Sequence, residues 1–523
     1  EKNPVKARVF TKLFFRHWDE YVAGTRQHLF VMSAPNGTSL EEPRDVTPGD
    51  RDGYPTSMTF SVGDDFTFSP DGKFLLYTAP PEKEEAWNTN HDIWRVNLAS
   101  GERENMTADN RAADGYPQFS SDGKWLAYRA QARPGFEADR WQLFVAPARP
   151  DGSCSDKPKS LTEKFDSSVN QFVWAGDGKS IVFDAEDRGL SPIYRINIAM
   201  PEVSAIYKEH SNYSLSTCRS GKIAFGQSSL LFPTRVMVLE KDKARLAADG
   251  GNGALLKEIG LPAFESIDVK GAEGTPMQMW LLKPPGFDAG KKWPLVYLVH
   301  GGPQGSWNDG WSWRWNPALW AAQGYVVALP NPRGSTGFGQ KYVDDISKDW
   351  GGKVFEDLMK GMDYLEGLPY IDKDRVAAAG ASYGGYMMNF FQGNTARFKT
   401  LITHCGVYNL ESMFATTEEL WFAEWELGGL PWDEKAESYK KFSPHRFAKN
   451  FKTPMLIIHG DLDFRVPVSQ GLELFTTLQR LGIASKMINF PDEGHWVSKP
   501  ANSKYWHEQV FAWLKKYAPP GGK

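Results

Sequence analysis

Two patterns divide the sequence and predict its fold class. The first half repeats a hairpin motif centred on an Asp-Gly pair, and the second half alternates apolar strand-like runs with helical stretches around a Gly-x-Ser-x-Gly turn. Repeated hairpins are typical of propeller blades, and a strand, a tight serine turn and a helix in succession are typical of the α/β-hydrolase sheet. We therefore expect an α/β-hydrolase domain preceded by a β-propeller.

The propeller prediction depends on the spacing of the hairpins. Asp-Gly pairs begin at residues 71, 122 and 177, at intervals of 51 and 55 residues, and a weaker copy spans 220–225. Asp-Gly between alternating apolar runs is a strong hairpin signal, and each copy is followed by another strand-like run. Repeats of this length with four strands each favour propeller blades over an irregular sandwich with chance turns.

The propeller is expected to lack its first blades. Four to five blades fit before residue 245, and the chain begins directly on blade-like sequence that includes Phe10 and Phe14. We expect further blades and any signal peptide to lie upstream of this sequence. A polar, glycine-rich stretch at 247–253 then suggests the division: residues 1–250 for the propeller and 251–523 for the hydrolase domain.

A glycine loop in the second half predicts an oxyanion hole. The apolar run 293–299 opens into His300-Gly301-Gly302-Pro303. Glycines let backbone N–H groups approach a developing negative charge, and the residue after the nucleophile supplies the second donor in this fold. Gly302 and Tyr383 are therefore the candidate donors, and a plain Gly-Pro turn is the alternative.

The candidate nucleophile is Ser382. It lies in Gly380-Ala381-Ser382-Tyr383-Gly384, between the apolar run 375–379 and a helix-like stretch that begins at residue 385. The glycines leave room for a strained turn that raises the serine hydroxyl above the sheet. A serine hydroxyl also needs a base and an orienting acid, which follow it in the order Asp, His in this fold.

Asp463 and His495 are the candidates for those two roles. The buried-strand run 454–458 leads to Asp461 and Asp463, and we prefer Asp463, which is followed at once by residues 464–467, Phe-Arg-Val-Pro, with Asp461 serving the turn. The run 485–490 leads to His495, which lies in a turn after the last strand. Carboxyl ends of parallel strands meet at one edge of a sheet, so the three residues are expected to converge there.

Four segments of the second half resemble the prolyl oligopeptidase family of serine peptidases. They are residues 300–303, 331–337, 380–386 and 492–495. Residues 311–316, 421–429 and 463–467 are similar to the branch of acylaminoacyl-peptidases and dipeptidyl peptidase V, with the bacterial dipeptidyl peptidase V group as the nearest match. The resemblance implies a propeller that covers the active site and admits only short peptides.

The functional hypothesis is a serine exopeptidase that releases N-terminal dipeptides through an acyl-enzyme on Ser382. The alternatives are an acylaminoacyl-peptidase and a general esterase on the same fold. A catalytically inactive propeller protein that binds peptides is the hypothesis of a different class, and the intact triad argues against it.

Specificity residues are expected near the triad. A dipeptidyl peptidase must hold a free α-ammonium group, which requires carboxylates, and Glu424 and Glu426 lie among aromatic residues in a suitable segment. An ordinary surface role is an equally good interpretation of these two residues. The resemblance also implies that Arg465, just after the triad aspartate, holds the acyl carbonyl of an N-acylated substrate.

Composition excludes several classes of function. The net charge of −4 gives no reason to expect nucleic-acid binding, and no run reaches the ~18 apolar residues of a membrane helix. We find no metal-ligand spacing and no phosphate-binding glycine loop, so no metal or cofactor is expected. Short peptides are the expected partners, and a homodimer is left open. The resemblance favours a periplasmic or secreted protein, with the cytoplasm as the alternative.

Overall fold

The computed structural model describes residues 5–22, 24–34, 42–241 and 243–522. Its first strands form two small antiparallel pairs. β1 (Arg16–His17) pairs with β2 (Glu20–Tyr21), and β3 (Phe30–Val31) pairs with β4 (Arg44–Asp45).

Four antiparallel sheets of four strands follow, each built from consecutive strands. They consist of β5 (Phe66–Phe68), β6 (Phe74–Ala79), β7 (Asp92–Asn97) and β8 (Arg103–Asn105); β9 (Asp114–Phe119), β10 (Trp125–Ala130), β11 (Gln142–Pro147) and β12 (Lys159–Ser160); β13 (Phe172–Trp174), β14 (Ser180–Asp184), β15 (Ile193–Asn197) and β16 (Ser204–Tyr207); and β17 (Ser211–Thr217), β18 (Ile223–Ser229), β19 (Phe232–Glu240) and β20 (Lys243–Ala248).

The predicted hairpin copies form the first turn of each of these sheets. The three Asp-Gly pairs join β5 to β6, β9 to β10 and β13 to β14, and the weaker copy joins β17 to β18. Gly72, Gly123 and Gly178 have φ of 71°, 69° and 61°, which is the region that glycine adopts without a steric penalty. The repeat in the sequence is therefore a repeat of one turn conformation in four propeller-like sheets.

The second half forms one mixed sheet of eight strands in the order β21-β22-β24-β23-β25-β26-β27-β28. These are β21 (Ala263–Lys270), β22 (Pro276–Lys283), β23 (Trp293–Val299), β24 (Val326–Asn331), β25 (Ile371–Ala381), β26 (Thr400–His404), β27 (Met455–Gly460) and β28 (Ser485–Phe490). β22 is antiparallel to both its neighbours, and the strands from β24 to β28 are parallel.

Helices cover both faces of this sheet. They are α1 (Gly253–Glu258), α2 (Pro317–Ala322), α3 (Gln340–Asp344), α4 (Lys353–Gly367), α5 (Tyr383–Asn394), α6 (Leu410–Phe414), α7 (Leu420–Leu427), α8 (Ser438–Lys441), α9 (Ser469–Arg480) and α10 (Pro500–Tyr517), with 3-10 helices at Ala272–Gly274 and Pro444–Asn450. One core packs α4 and α5 on the sheet, and a second packs α2 and α10 on the opposite face.

Burial on both faces explains why the central strands read as continuous apolar runs. Every residue of β23, β26 and β27 is buried. The last propeller-like sheet ends at Ala248 and the eight-stranded sheet begins at Ala263, so a division at residue 250 stays a prediction compatible with these strands. In the ranges given above, no helix has the length and apolar character needed to span a membrane.

Candidate active site

Ser382 lies at the tip of a tight turn between a strand and a helix. β25 ends at Ala381 and α5 begins at Tyr383, so Ser382 alone joins them, with φ 59° and ψ −119°. A positive φ at a residue other than glycine is strained and persists only where the surroundings enforce it. Here the Ser382 N–H donates to the carbonyl of His404 at 3.0 Å, which ties the turn to the neighbouring strand β26.

Two glycines allow this turn to pack against the sheet. A Cβ atom at Gly384 would lie 2.1 Å from the carbonyl oxygen of Val299, and one at Gly380 would lie 2.4 Å from the carbonyl oxygen of Gly384. Both distances are far below van der Waals contact, so no side chain fits at either position. The two glycines of the motif are therefore required by the contact between the turn, α5 and the end of β23.

The glycine loop after β23 borders the serine. A Cβ atom at Gly301 would lie 3.3 Å from the Cβ of Ser382 and 3.9 Å from its Oγ. Gly302 has φ 117°, and it lines the same cavity as Ser382 and Tyr383. Tyr383 is the first residue of α5, where a backbone N–H has no partner inside the helix. The structure thus brings both predicted oxyanion donors to the serine.

Asp463 and His495 form a hydrogen-bonded pair beyond the ends of β27 and β28. His495 Nδ1 donates to Asp463 Oδ2 at 2.8 Å, and Asp463 Oδ1 accepts the N–H groups of Arg465 at 3.1 Å and Val466 at 2.9 Å. Burial alone would raise the pKa of Asp463, but the charge of His495 and the hydrogen bonds from His459 and His495 outweigh burial and hold that pKa well below its usual range. The ionised carboxylate therefore orients the imidazole and leaves Nε2 available as a base.

The Nε2 atom of His495 lies 3.9 Å from the Sγ of Cys405. No hydrogen bond joins it to the Ser382 hydroxyl in the part of the chain that the structure describes, and such catalytic bonds often form only with substrate bound. Cys405, Asp463 and His495 offer ligand atoms within 4.8 Å of one another, which is a spacing that can hold a metal ion. The cluster has another explanation, because Asp463 binds His495 and burial raises the pKa of the Cys405 thiol well above its usual value.

Ser382 and His495 line one cavity of about 410 Å³, which is within the range of small-molecule and short-peptide sites. Val407, Met413 and Phe422 form an apolar part of its wall. Trp18, in the turn between β1 and β2, also lines the cavity and packs edge-on against His495, with ring centroids 5.4 Å apart.

Three carboxylates surround one guanidinium group beside this cavity. Arg465 Nε contacts Glu418 Oε1 and Arg465 Nη1 contacts Glu419 Oε1, both at 2.6 Å. Glu137 Oε2 accepts a hydrogen bond from Trp421 Nε1 at 2.7 Å. We call Glu137, Glu418 and Glu419 the acid cluster. Glu137, Glu419 and Arg465 line the cavity itself.

The acid cluster has fewer cations than carboxylates. Burial raises the pKa of Glu419 well above its usual value; Arg465 counteracts this in part, and Glu137 and Glu418 add to the rise. For Glu418 burial acts in the same direction, but Arg465 and His17 outweigh it and lower the pKa to about 2. Burial also raises the pKa of Glu137. Glu419 shares Arg465 with Glu418, and Glu137 has no ion pair in the described residues, so a bound cation would favour the ionised forms of Glu137 and Glu419.

Glu137 reaches the cavity from the propeller-like half of the chain. It lies in the loop between β10 and β11, where Arg133 pairs with Asp139 at 2.6 Å and with Asp344 of α3 at 2.8 Å. In the same loop, Phe136 stacks on Trp425 of α7 with ring centroids 4.5 Å apart. These contacts fix the loop on the second half and direct Glu137 to the cavity.

The structure does not bring Glu424 or Glu426 to the cavity. Neither residue lines it. Glu426 is enclosed and accepts hydrogen bonds from Gln304 at 2.8 Å and from Ser347 and Trp350 at 2.9 Å each, and burial raises its pKa to about 7. The predicted segment is near the site, but the carboxylates in the cavity wall come from other positions. Arg465 does line the cavity, as expected.

Five residues of the cavity wall received no functional role from the sequence: Trp18, Glu137, Arg314, His404 and Glu419. Glu418, which lies beside the cavity against Arg465, received none either. The two adjacent glutamates at 418–419, directly before a helix with aromatic residues, could have been recognised in the sequence as candidates for binding an ammonium group. Glu137 and Trp18 carry no local signal, because they reach the site from loops more than 240 residues away from Ser382 along the chain.

Comparisons with known proteins show the family of this chain. The profile of the Prolyl oligopeptidase family matches residues 311–520. The dipeptidyl-peptidase 5 of Porphyromonas gingivalis is 36% identical over 517 residues, which cover 98% of this chain and 74% of that protein. The chain belongs to the prolyl oligopeptidase family. It is a serine peptidase, and the family resemblance is confirmed. Another relative, the dipeptidyl-peptidase 5 of Schizosaccharomyces pombe, is 33% identical over 534 residues, covering 99% of this chain and 76% of that protein.

Solved structures confirm the fold class. The acylaminoacyl peptidase of Pyrococcus horikoshii superposes with a TM-score of 0.82 at 20% identity, covering 99% of this chain and 79% of that one. The dipeptidyl peptidase 4 of Porphyromonas gingivalis gives a TM-score of 0.69 at 17% identity, covering 94% and 80%. The family's arrangement of a propeller-like sheet region before an α/β-hydrolase domain is thus present here.

Proposed function

We propose that this family member is a serine exopeptidase that releases N-terminal dipeptides from short peptides. Ser382 attacks the scissile carbonyl while His495 Nε2 takes the hydroxyl proton and Asp463 holds the imidazole in the required tautomer. The N–H groups of Tyr383 and Gly302 stabilise the oxyanion, and one such donor lowers the barrier by about 3–4 kcal/mol. His495 then protonates the leaving amine, and water releases the dipeptide from the acyl-enzyme.

The acid cluster is the observation that carries the dipeptidyl specificity. Buried carboxylates are stable only with cationic or hydrogen-bonding partners. Glu137 and Glu419 have a hydrogen bond to each other and one shared guanidinium group, which also serves Glu418. The α-ammonium group of a peptide supplies the missing positive charge. Because the acid cluster and Ser382 border one cavity, an ammonium group bound there fixes how many residues precede the scissile bond. The relatives named dipeptidyl-peptidase 5 support a count of two.

A second candidate is the release of N-acylated amino acids, which the position of Arg465 in the cavity wall favours. In this structure, however, Arg465 faces Glu418 and Glu419 at 2.6 Å each. An N-acyl substrate brings no positive charge to this excess of carboxylates and would have to displace one of them to reach the guanidinium group. The charge balance therefore favours a free amine.

Cleavage of matched substrates tests the proposal. Gly-Phe p-nitroanilide and its N-acetylated twin differ in the charge of the amino group and in the added acetyl group. We expect kcat/KM for the free peptide to exceed that of the twin by roughly 100-fold, as for a buried charge pair, with Gly-Phe as the released product. Loss of both activities in Ser382→Ala would assign them to this serine. Preferred cleavage of the twin would contradict the requirement for a free amine, and preferred cleavage of N-acetyl-Phe p-nitroanilide, which releases an N-acylated amino acid, would establish the second candidate.

A further inference from the structure

One cation in the cavity wall has no anionic partner. Arg314 lies in the loop between β23 and α2, lines the cavity, and stacks its guanidinium group on the ring of Trp496, 4.0 Å from the ring centroid. Across the described ranges, no carboxylate forms an ion pair with Arg314. Burial lowers its pKa, and only the side chain of Cys405 offsets this. A partly buried guanidinium group without a counter-ion favours an anionic ligand.

The neighbouring His404 also lacks a partner. His404 is 4% exposed and lines the same cavity, and both ring nitrogens are buried without a hydrogen bond among the described residues. Burial, and then the charge of His495, lowers the pKa of His404 to about 3, so the ring is neutral at physiological pH and carries one N–H donor. Buried donors are normally satisfied, so this imidazole needs an acceptor. An anion at Arg314 would supply one.

The contact of Arg314 with Trp496 favours a place for Arg314 on the leaving side of the scissile bond. It contacts Trp496, the residue after His495, and in the proposed mechanism His495 gives its proton to the leaving amine. In the proposed function, the acid cluster binds the amino end of the dipeptide that becomes the acyl group. The cavity therefore has a carboxylate-rich side for the amino terminus and a cationic side for the leaving residue. A short peptide with two free termini has the same charge pattern.

We infer that Arg314, assisted by His404, binds a carboxylate on the leaving residue, and that tripeptides with a free C-terminus are the preferred substrates. This inference rests on the proposed function, because release of a dipeptide makes the third residue the leaving group. In a tripeptide that residue carries the terminal carboxylate. An acidic side chain on the same residue offers the same chemistry.

Three peptides separate these sources: Gly-Phe-Ala, Gly-Phe-Ala-NH2 and Gly-Phe-Asp-NH2. For the wild-type enzyme we expect kcat/KM for Gly-Phe-Ala to exceed that of its amide by roughly 10- to 100-fold, as for a charge-assisted hydrogen bond. Arg314→Met should bring this ratio close to one, and Arg314→Lys, which keeps the charge, should retain part of it. If the wild-type enzyme also prefers Gly-Phe-Asp-NH2 to Gly-Phe-Ala-NH2, the site binds side-chain carboxylates as well as the terminal one.

Gly-Phe p-nitroanilide, whose leaving group is uncharged, keeps the two proposals distinguishable. If this anilide is not cleaved, the proposed function fails whatever Arg314 does. If it is cleaved but the wild-type enzyme treats acid and amide alike, the inference about Arg314 is overturned, even should the Met variant fail to fold. A preference for the acid that persists undiminished in a folded Arg314→Met enzyme would overturn it equally.

Discussion

Replacing Glu419 by glutamine removes the negative charge that a bound ammonium group would stabilise on this residue and keeps the size of the side chain. Glu419 is 3% exposed, and its Oε1 lies 2.6 Å from Arg465 Nη1. Losing one partner of a buried charge pair costs about 2–5 kcal/mol. Because Glu137 and Glu418 remain, we take the lower part of that range, about 2–3 kcal/mol, which corresponds to roughly 30- to 150-fold in kcat/KM for a peptide with a free amine.

The assay compares kcat/KM for Gly-Phe p-nitroanilide and its N-acetylated twin in each variant. Glu419→Gln should lower the ratio of the two values by the factor given above, because only the free peptide carries a charge for the cluster. Glu424→Gln is the matched control, since Glu424 is also a glutamate of this segment but does not line the cavity. It should leave the ratio unchanged.

The same pair of substrates gives a pH dependence. Burial raises the pKa of Glu419 well above its usual value, so its negative charge is lost as the pH falls through that raised pKa. Below about pH 7.7 the α-ammonium group is mostly protonated, so a loss of preference at lower pH reports the carboxyl groups and not the amine. The ratio of kcat/KM for the free peptide to that for its twin should therefore decline at acidic pH. The decline should be smaller in Glu419→Gln than in the wild-type enzyme. If Glu419→Gln lowers kcat/KM equally for both substrates, the reasoning is refuted, because Glu419 would then have a structural role without recognition of charge.

Other parts of the site and the core give further predictions. Asp463→Asn should lower kcat about 10⁴-fold by favouring the wrong histidine tautomer, and steady-state kinetics with kcat near wild type would contradict the assigned role. Gly384→Ala should abolish activity and lower the melting temperature, because its Cβ would lie 2.1 Å from a carbonyl oxygen. Gly367→Ala, at the end of α4, places a Cβ with nothing within 4 Å, so thermal unfolding should show a free energy of unfolding higher by about 0.5–1 kcal/mol. In the wild-type protein, Arg333 Nη1 lies 2.9 Å from the buried Asp357 Oδ1. Arg333→Met removes this ion pair, so urea unfolding should show a free energy of unfolding lower by about 3–5 kcal/mol. An unchanged unfolding midpoint would disprove the importance of the ion pair.

The catalytic strands were predictable because buried parallel strands are uninterrupted apolar runs. The predicted run 293–299 coincides with β23, and the run 375–379 lies within the longer β25. The run 485–490 coincides with β28 but is different, because β28 is the last strand of the sheet and only two of its residues are buried. Near the start of β25, four consecutive charged residues at 372–375 hide the strand, which pairs with β23 from Ile371 and shifts in register before Val376. Turn chemistry was equally local, since the Asp-Gly pairs mark the first hairpin of three propeller-like sheets.

Substrate recognition could not be predicted in the same way. Glu419 and Glu424 have similar sequence surroundings, yet only Glu419 lines the cavity, because the start of α7 faces Arg465. The nearby Glu426 is buried inside the protein, where its carboxylate accepts hydrogen bonds from Trp350, Ser347 and Gln304. Which carboxylate meets the substrate depends on the packing of α7, and no local pattern encodes that packing.

The sequence by itself determined the fold class, the order of Ser382, Asp463 and His495, and the glycines around the serine, because each depends on residues close together in the chain. The tertiary structure decided the charge pattern of the cavity. Glu137 meets Glu419 only because the loop between β10 and β11 docks on the second half through Arg133. Burial at that contact also raises the carboxyl pKa values, and burial is a property of the folded assembly of distant segments.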